Sequence, residues 1–273
     1  MDKITRLCSE IISYNRPARD KENLMLLYSL LDLTNLNSTA TDEDISELCS
    51  QASQTLHKQQ EIPQVAAVCI YPVYIKKCKE LLANTPVKVA AVSGVFPHAQ
   101  SFAEVKYLET EMAIAHGADE IDMVLNLSAF LNKKESVVFD EIKAMRQICG
   151  KHHLKVILET SLLKDYKLIE EAARIALEAG ADFIKTSTGK DGSVASLEAA
   201  YIMCKTIKDY YRENAFIAGF KPAGGISETN MALNYLAIVA ELLGEEWLFP
   251  ERFRIGASRL ALNLLQDLEE LEK

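Results

Sequence analysis

The chain has 273 residues, of which 49% are hydrophobic and 25% are charged, a composition that excludes a disordered or fibrous protein. Its 39 Asp and Glu residues outnumber its 30 Lys and Arg residues, which gives a net charge of −9. An acidic surface repels polyanions, so nucleic acid and anionic membranes are excluded as the main partners. An anionic small molecule is compatible with the sequence, because a few local cations override a distant field.

The sequence predicts a cytoplasmic protein that does not enter a membrane. No apolar run reaches the ~18 residues of a membrane span. The segment Met1 to Asn15 contains Asp2, Arg6 and Glu10, which is unlike a signal peptide. The six cysteines form no C-x-x-C pair, and a chain of this length needs no disulfide framework, so we expect them to be reduced.

Short apolar runs rich in Val, Ile and Ala predict eight strands, separated by stretches with helical periodicity. In chain order they are Leu30–Leu33, Val65–Ile70, Val87–Val92, Glu120–Leu125, Lys155–Glu159, Asp182–Thr186, Phe216–Lys221 and Arg252–Ile255. Most of them lack the polar alternation of a half-exposed strand, which indicates a parallel sheet covered on both faces. The spacing between them leaves room for one crossover helix in each connection.

Local signals mark several helix ends. Thr41 and Asp44 have the spacing of a capping box, and Pro72 is placed to open a helix over Val73–Ala83. Two glycines, Gly117 and Gly180, fit the left-handed position that follows a helix.

Two segments that lie 63 positions apart resemble each other, His116–Asp122 and Ala179–Lys185. Each is predicted to contain a helix end, a tight turn and a strand entry, and their separation is the length of two β-then-α units. Eight such units favour a (β/α)8 barrel over a doubly wound sheet. Asp122 and Lys185 then occupy equivalent places near the carboxyl ends of strands four and six, where barrel active sites lie.

The predicted fold class is therefore α/β, a (β/α)8 TIM barrel with an additional N-terminal helical segment. No linker rich in Pro, Gly or Ser divides the chain, so we predict one domain over residues 1–273. Residues 1–26 are expected to be a helical extension packed on the barrel.

Lys185 follows Phe183 and Ile184 inside an apolar strand, where a charged amine is costly unless it is paired or used. One interpretation is a lysine that snorkels to the rim of the barrel. The other is an amine nucleophile that condenses with a carbonyl group. Because an ordinary lysine is almost entirely protonated at neutral pH, the second interpretation requires another positive charge close by.

Lys221 is placed to supply that charge, since it ends the next predicted strand and would be a lateral neighbour of Lys185. Asp122 completes the set as a carboxylate that balances the two lysines and, with a water molecule, moves protons. The alternative is that the three residues form a structural salt-bridge cluster.

Three successive loops contain glycine and predict an anion site. Gly189-Lys190 follows strand six, Gly224-Gly225 follows strand seven, and Gly256-Ala257-Ser258 follows strand eight. Glycine lets backbone N–H groups approach an anion closely, and barrels frequently bind phosphate in the loops after strands seven and eight.

Neither a metal ion nor another cofactor is predicted. The five histidines are His57, His98, His116, His152 and His153, and they have neither H-x-H nor H-E-x-x-H spacing. We expect them at the surface or in the core. Cys69 lies near the end of predicted strand two and, from composition alone, is best interpreted as a small buried hydrophobe.

With these residues the chain resembles the deoxyribose-phosphate aldolases, a family of class I aldolases built on the (β/α)8 barrel. The resemblance runs from about Leu27 to Leu265 and covers nearly the whole chain. Its most specific motifs are Ala181–Gly189 and Gly219–Ile226, and Leu31–Leu36, Val68–Pro72 and Phe253–Ser258 support it in the expected order. The resemblance implies reversible cleavage of 2-deoxy-D-ribose 5-phosphate into acetaldehyde and D-glyceraldehyde 3-phosphate, a step of deoxyribonucleotide catabolism that needs no metal.

The resemblance also implies roles for individual residues. Lys185 matches the Schiff-base lysine, Lys221 the second lysine whose charge favours the unprotonated amine, and Asp122 the proton-relay aspartate. The substrate-binding positions match Asp32, Thr34, Leu36, Cys69 and Thr186. The phosphate-binding positions match Gly189, Lys190, Gly224, Gly225, Gly256 and Ser258.

Two positions depart from the family pattern, because Arg259 stands where relatives often have Ser and Ser227 stands where many have Arg. We expect both changes to rebalance the affinity for phosphate. The expected partners are phosphosugar and aldehyde substrates, and the resemblance is compatible with a homodimer. Two alternative functions remain at this stage, a different Schiff-base phosphosugar aldolase or transaldolase, and a non-catalytic phosphosugar-binding barrel.

Overall fold

In the computed structural model, which describes residues 2–53 and 62–272, the predicted apolar runs form eight parallel strands. They are β1 (Leu31–Asn35), β2 (Ala67–Ile70), β3 (Lys88–Ser93), β4 (Glu120–Val124), β5 (His153–Ile157), β6 (Phe183–Lys185), β7 (Gly219–Lys221) and β8 (Ile255–Ala257). Each strand up to β7 pairs with its neighbour in the chain, and β8 pairs with β1. Bridges between Phe220 and Phe253 and between Ala223 and Gly256 join β7 to β8. The predicted (β/α)8 TIM barrel is confirmed.

Helices occupy the connections and surround the barrel. Those in the described residues are α1 (Lys3–Asn15), α2 (Lys21–Ser29), α3 (Asp42–Ala52), α4 (Ile75–Leu81), α5 (Ala103–Ala115), α6 (Leu127–Leu131), α7 (Glu135–Cys149), α8 (Thr160–Leu163), α9 (Tyr166–Glu178), α10 (Leu197–Asn214), α11 (Thr229–Leu243) and α12 (Arg259–Leu271). The capping box predicted at the start of α3 is present, formed by Thr41 and Asp44. Gly117 and Gly180 have positive φ just after α5 and α9, as predicted.

The fifth strand differs from its prediction at both ends. It begins at His153 and ends at Ile157, whereas the apolar run is Lys155–Glu159. An apolar run marks burial rather than backbone pairing, and the half-buried His153 already pairs with Glu120 of β4. At the other end Glu159 adopts a left-handed conformation, with φ of +54°, and leaves the strand.

Other boundaries also differ, among them that of the seventh strand, which was predicted over Phe216–Lys221 and begins at Gly219. The eighth strand was predicted over Arg252–Ile255, but its ladder to β1 begins only at Ile255, and Phe253 joins β7 through an isolated bridge. The helix predicted over Val73–Ala83 is a 3-10 turn at Pro72–Tyr74 followed by α4, which ends at Leu81. The proline does open the helical segment, as predicted for the first turn.

The two faces of the strands differ in chemistry. Residues that face the helices are apolar and belong to the main core, among them Leu31, Leu33, Val68, Ile70, Ile121, Met123, Leu154, Val156 and Ile184. The alternate positions face the barrel interior and include small residues such as Ala67 and Ala90 together with seven charged ones. The main apolar core therefore lies between the barrel and its helices, and the interior of the barrel holds the charged side chains beside smaller apolar groups.

The two amino-terminal helices pack on the outside of the barrel. The Asp2 carboxylate caps α1 by accepting the Thr5 N–H at 2.9 Å. Helix α1 contacts α10 and α11, and α2 contacts α11 and α12. In the described part of the chain, none of the helices is long and apolar enough to cross a membrane.

Candidate active site

The strand ends bring the three predicted catalytic side chains together. Lys185 ends β6 and Lys221 ends β7, and the two residues are direct partners in the sheet. Asp122 is in β4, and its Oδ2 accepts hydrogen bonds from Lys185 Nζ at 2.7 Å and from Lys221 Nζ at 2.8 Å. All three side chains are buried. The predicted neighbourhood of the two lysines is therefore present.

Four more charged side chains extend this group toward the amino-terminal end of the barrel. We name the whole set the lumen cluster, which consists of Asp32, Glu120, Asp122, Lys155, Lys185, Lys221 and Arg254, all of them buried. Lys155 Nζ lies 2.9 Å from Asp122 Oδ1 and 2.5 Å from Glu120 Oε2. Asp32 accepts hydrogen bonds from Lys221 and, at 2.6 Å, from Arg254 Nη1.

The cluster keeps its aspartate ionised and its second lysine charged. Burial alone would raise the pKa of Asp122, but the ammonium groups of Lys155, Lys185 and Lys221 outweigh it and hold that pKa well below its usual range. Burial alone would lower the pKa of Lys221, but Asp122 and Asp32 outweigh it and raise that pKa above its usual range. Lys221 is therefore a fixed positive charge beside Lys185.

The charges of the lumen cluster do not cancel when every member is ionised, because three carboxylates then face four cations. An uncompensated buried charge is costly, so the balanced state has one neutral amine. Lys155 and Lys221 each contact more than one carboxylate. In the described residues Lys185 contacts a single carboxylate oxygen, on Asp122, and so has the fewest carboxylate contacts of the four cations.

A cavity of about 380 Å³ opens above the lumen cluster at the carboxyl ends of the strands. It is lined by the segment after β1 and by the loops after β6, β7 and β8. Lys185 reaches its floor and is the one member of the lumen cluster among its described lining residues. The described lining holds two further cations, Lys190 and Arg259, and no Asp or Glu. In a chain with a net charge of −9, this local excess of positive charge suits an anionic ligand.

Two loops of this cavity are fastened to each other through Thr186. Its hydroxyl accepts the Ala223 N–H at 3.0 Å and donates to the Ala223 carbonyl at 3.1 Å. Gly224 follows with φ of +91°, and a Cβ atom there would lie 2.7 Å from the Ser193 carbonyl oxygen. Since only glycine fits this turn, the loops after β6 and β7 can lie against each other with their backbone toward the cavity.

The remaining predicted site residues fall into two groups. Those that line the cavity are Thr34, Leu36, Gly189, Lys190, Gly224, Gly225, Gly256 and Ser258. Asp32, Cys69 and Thr186 are fully buried and lie outside the lining, within the described residues. Cys69 Sγ is 3.8 Å from Asp122 Oδ2, and burial raises the pKa of this thiol. Asp32 and Cys69 thus contact the partners of Lys185 rather than the open cavity.

Positive charge at the mouth of the cavity comes from two residues. Lys190 reaches across from the loop after β6 and donates its Nζ to the Leu36 carbonyl. Arg259 begins α12 and is exposed, and within residues 2–53 and 62–272 its guanidinium has no hydrogen bond or ion pair. Ser227, the other position that departs from the family pattern, also lines the cavity. Arg259 is therefore free to contact a ligand.

Sequence reasoning missed three members of the lumen cluster, Glu120, Lys155 and Arg254. Lys155 and Arg254 each carry a charge between apolar neighbours in a predicted strand, which is the signal that singled out Lys185, whereas Glu120 follows Asp119 at the start of its strand and has no such signal. It also missed Glu159, a buried carboxylate that accepts hydrogen bonds from the Thr188 N–H and, at 3.0 Å, from the Ser193 hydroxyl. Because the sequence placed Glu159 inside a strand, nothing indicated that it holds the loop after β6.

The described residues contain no group of three or more His, Cys, Asp or Glu side chains that could hold a metal ion. The histidines His98, His116, His152 and His153 are exposed or half-buried. His57 lies outside the described residues.

The fold and the site define a (β/α)8-barrel enzyme of the aldolase class. A family model described as DeoC/LacD family aldolase matches residues 26–235, and the chain belongs to this family. A Caenorhabditis elegans protein assigned as a deoxyribose-phosphate aldolase is 39% identical over 254 residues, which cover 92% of this chain and 83% of that protein. The resemblance read from the motifs is confirmed.

Solved structures give the same result. A structure from Coccidioides immitis, assigned as a deoxyribose-phosphate aldolase, is 28% identical with a TM-score of 0.77 and covers 97% of this chain and 96% of its own. The deoxyribose phosphate aldolase of Aeropyrum pernix, described as a unique tetramer, is 25% identical with a TM-score of 0.75. That match covers 99% of this chain and 100% of the other.

Proposed function

We propose that this protein is a class I aldolase that reversibly cleaves 2-deoxy-D-ribose 5-phosphate into acetaldehyde and D-glyceraldehyde 3-phosphate. The observation that carries the proposal is that Lys185 belongs both to the lumen cluster and to the floor of the cationic cavity. An amine in this position can attack an aldehyde while the surrounding loops hold an anionic group. The aldolase family and the relatives assigned as deoxyribose-phosphate aldolases support the substrate.

In the proposed first step, the neutral amine of Lys185 adds to the C1 aldehyde, and the resulting hydroxyl takes up one proton from solvent and leaves as water, which forms a protonated imine. The fixed charge of Lys221 favours the neutral amine before the attack. The same environment suits the product of this step, because Asp122 lies 2.7 Å from Lys185 Nζ and neutralises the cationic imine nitrogen.

In the second step, the imine accepts the electron pair of the C2–C3 bond as that bond breaks. A base removes the C3 hydroxyl proton at the same time, and D-glyceraldehyde 3-phosphate leaves with a new aldehyde. We assign the proton transfer to a water molecule held by Asp122 and Lys221, because the lowered pKa of Asp122 makes its carboxylate a weak base on its own. Protonation of the enamine at C2 and hydrolysis of the imine then release acetaldehyde and restore Lys185.

We assign the phosphate to the mouth of the cavity. The backbone N–H groups near Gly224 and Gly225 and the amino end of α12 offer donors to an anion. Lys190 and Arg259 add two positive charges there. A phosphate bound at this place leaves the aldehyde end of the sugar free to reach Lys185.

The decisive test is borohydride reduction in the presence of 2-deoxyribose 5-phosphate, followed by peptide mass mapping. We expect a stable adduct on the peptide that contains Lys185, and neither adduct nor turnover for Lys185→Met. The matched control is Lys190→Met, which removes another cavity lysine and is expected to keep the adduct while binding the sugar more weakly. A wild-type protein that cleaves the sugar but is never trapped would overturn the imine mechanism.

The same assay separates the alternatives. Cleavage of a ketose phosphate without activity on 2-deoxyribose 5-phosphate would indicate a different Schiff-base enzyme. Phosphosugar binding in a calorimeter without any turnover would indicate a non-catalytic barrel.

We also propose that residues 1–273 form one domain with residues 1–26 as its helical extension, and that the protein acts in the cytoplasm as a metal-independent homodimer. The contacts of α1 with α10 and α11 support the single domain, and six free cysteines suit a reducing compartment. Light scattering after gel filtration tests the dimer, and a tetramer, as named for the Aeropyrum pernix enzyme, is the outcome that would replace it.

A further inference from the structure

Glu120 and Arg254 lie at the end of the lumen cluster that is nearest the amino-terminal ends of the strands, and the proposed reaction does not use them. The guanidinium of Arg254 donates two hydrogen bonds to the Glu120 carboxylate, from Nη2 to Oε1 at 2.7 Å and from Nη1 to Oε2 at 3.1 Å. Both residues are only 3% exposed, and neither is among the described residues that line the cavity. They therefore do not touch a substrate bound there.

One chain of ion pairs leads from Arg254 to the reactive amine. Arg254 Nη1 donates to Asp32 Oδ1 at 2.6 Å, and the other oxygen of Asp32 accepts from Lys221. Lys221 in turn donates to Asp122 Oδ2, the same atom that accepts from Lys185. Arg254 thus fixes the carboxylate that orients Lys221 against Asp122.

A second chain leads from Glu120. Lys155 Nζ lies between Glu120 Oε2 at 2.5 Å and Asp122 Oδ1 at 2.9 Å. Since every group along both chains is buried, charges act on Lys185 with little screening by solvent.

Other titratable and charged groups also face Lys185 and the cluster. Outside the lumen cluster they are Cys69 on β2, His153 on β5, Glu159 after β5, and Lys190 and Arg259 at the cavity. Burial raises the pKa values of Cys69 and Glu159, and His153 Nδ1 is 3.7 Å from Glu120 Oε1. These groups are the same in every variant below, so the direction of a shift depends on the charge that is removed.

We propose that Arg254 and Glu120 are a pair of positioning residues whose opposite charges set the pH range over which the Lys185 amine reacts. The inference rests on the proposed Schiff-base function. Without Glu120 the cluster has an excess of positive charge, which favours the neutral amine at lower pH. Without Arg254 the three carboxylates need the Lys185 proton for balance, which keeps the amine protonated to higher pH.

The test compares the wild-type protein with Glu120→Gln, Arg254→Met and the double variant, by the pH dependence of kcat/KM for 2-deoxyribose 5-phosphate. We expect the acidic limb to move down by roughly one pH unit in Glu120→Gln and up by roughly one unit in Arg254→Met, the order expected when one unit charge is lost from a protein interior. In the double variant we expect the limb near its wild-type position. Borohydride trapping at Lys185 across the same pH range gives an independent readout of the reactive amine.

Arg254→Lys is the control for a variant that fails to fold, because it keeps the positive charge but loses the bidentate hydrogen bond to Glu120. We expect its acidic limb to stay in place. If both single variants lose rate equally at every pH with the limb unmoved, the pair is merely structural and the inference is wrong. If the wild-type protein is not trapped at Lys185 at all, the proposed function is wrong and this inference falls with it.

Discussion

Replacing Lys221 by methionine should move the acidic limb of the rate profile to higher pH. In the native cluster Lys221 supplies one of three cations that balance three carboxylates without Lys185. When it is removed, Asp122 keeps its contact with Lys155, and Asp32 keeps its contact with Arg254. The third positive charge must then come from Lys185, which retains its proton and cannot attack an aldehyde.

The size of the shift follows from the shared oxygen. Lys185 Nζ and Lys221 Nζ lie 2.7 Å and 2.8 Å from Asp122 Oδ2, so the two nitrogens are at most about 5.5 Å apart, the sum of the two distances. At that separation and an effective dielectric constant of ~20, two unit charges repel each other by about 3 kcal/mol. At ~1.36 kcal/mol per pH unit, the limb moves by about 2 units. Below the limb, the rate falls about a hundredfold.

The assay is kcat/KM for 2-deoxyribose 5-phosphate between pH 5 and about 10, with circular dichroism to establish that each variant is folded. Lys221→Arg is the matched control, because it keeps a positive charge at the same place and should leave the limb within a few tenths of a unit. A folded Lys221→Met protein whose limb coincides with that of the wild type would refute the electrostatic coupling between the two lysines.

Three further changes test the phosphate site, the barrel interior and the outer helices. Arg259→Ala should raise KM for 2-deoxyribose 5-phosphate about tenfold, since a charged hydrogen bond contributes ~1.5 kcal/mol, and should leave kcat/KM for unphosphorylated 2-deoxyribose unchanged in the same steady-state assay. Gly219→Ala would bring a Cβ atom to 2.2 Å from the Phe183 ring. The substitution should lower the free energy of unfolding by ~1–3 kcal/mol and lower Tm by several degrees in calorimetry. An unchanged Tm would mean that the ring has room to shift. Lys106 contacts the Glu141 carboxylate at 2.7 Å in the buried α5–α7 interface, so Lys106→Met leaves that carboxylate buried without its cation. Urea titration should then show a free energy of unfolding that is lower by ~3–5 kcal/mol. The Lys106→Met/Glu141→Met double variant should recover most of that loss, and a double variant as unstable as the single one would count against the ion pair as the cause.

The sequence predicts the barrel and the part of its site at the carboxyl ends of the strands, because those features have local signals. Apolar runs mark the buried strands, and Gly117 and Gly180 mark helix ends that the structure reproduces. Lys185 and Lys221 could be placed side by side since each ends a strand and successive strands of such a barrel are neighbours. The position of a charge at the end of an apolar run is thus informative without any coordinates.

The part of the lumen cluster toward the amino-terminal end of the barrel could not be predicted in the same way. Lys155 and Arg254 lie within apolar runs, but period two alone does not say whether a side chain faces the helices or the interior of the barrel. That choice depends on the register between strands, and the predicted limits of β5 and β8 were each wrong by two or three residues. Glu159 was missed for a related reason, because its left-handed turn has no signature in a run of apolar residues.

The bond between Thr186 and Ala223 has a consequence for which sugars the protein accepts. It fixes the loop that follows Lys185 to the backbone that leads into Gly224, so the Lys185 amine and the glycine loops proposed to hold the phosphate are a set distance apart. A phosphorylated aldehyde must span that distance with its own carbon chain. A sugar one carbon shorter reaches the amine only if its phosphate leaves the glycine loops. A longer sugar must bend its carbon chain to fit the same distance. The backbone itself therefore selects sugars by the length of their carbon chain, independently of any side chain that recognises a hydroxyl group.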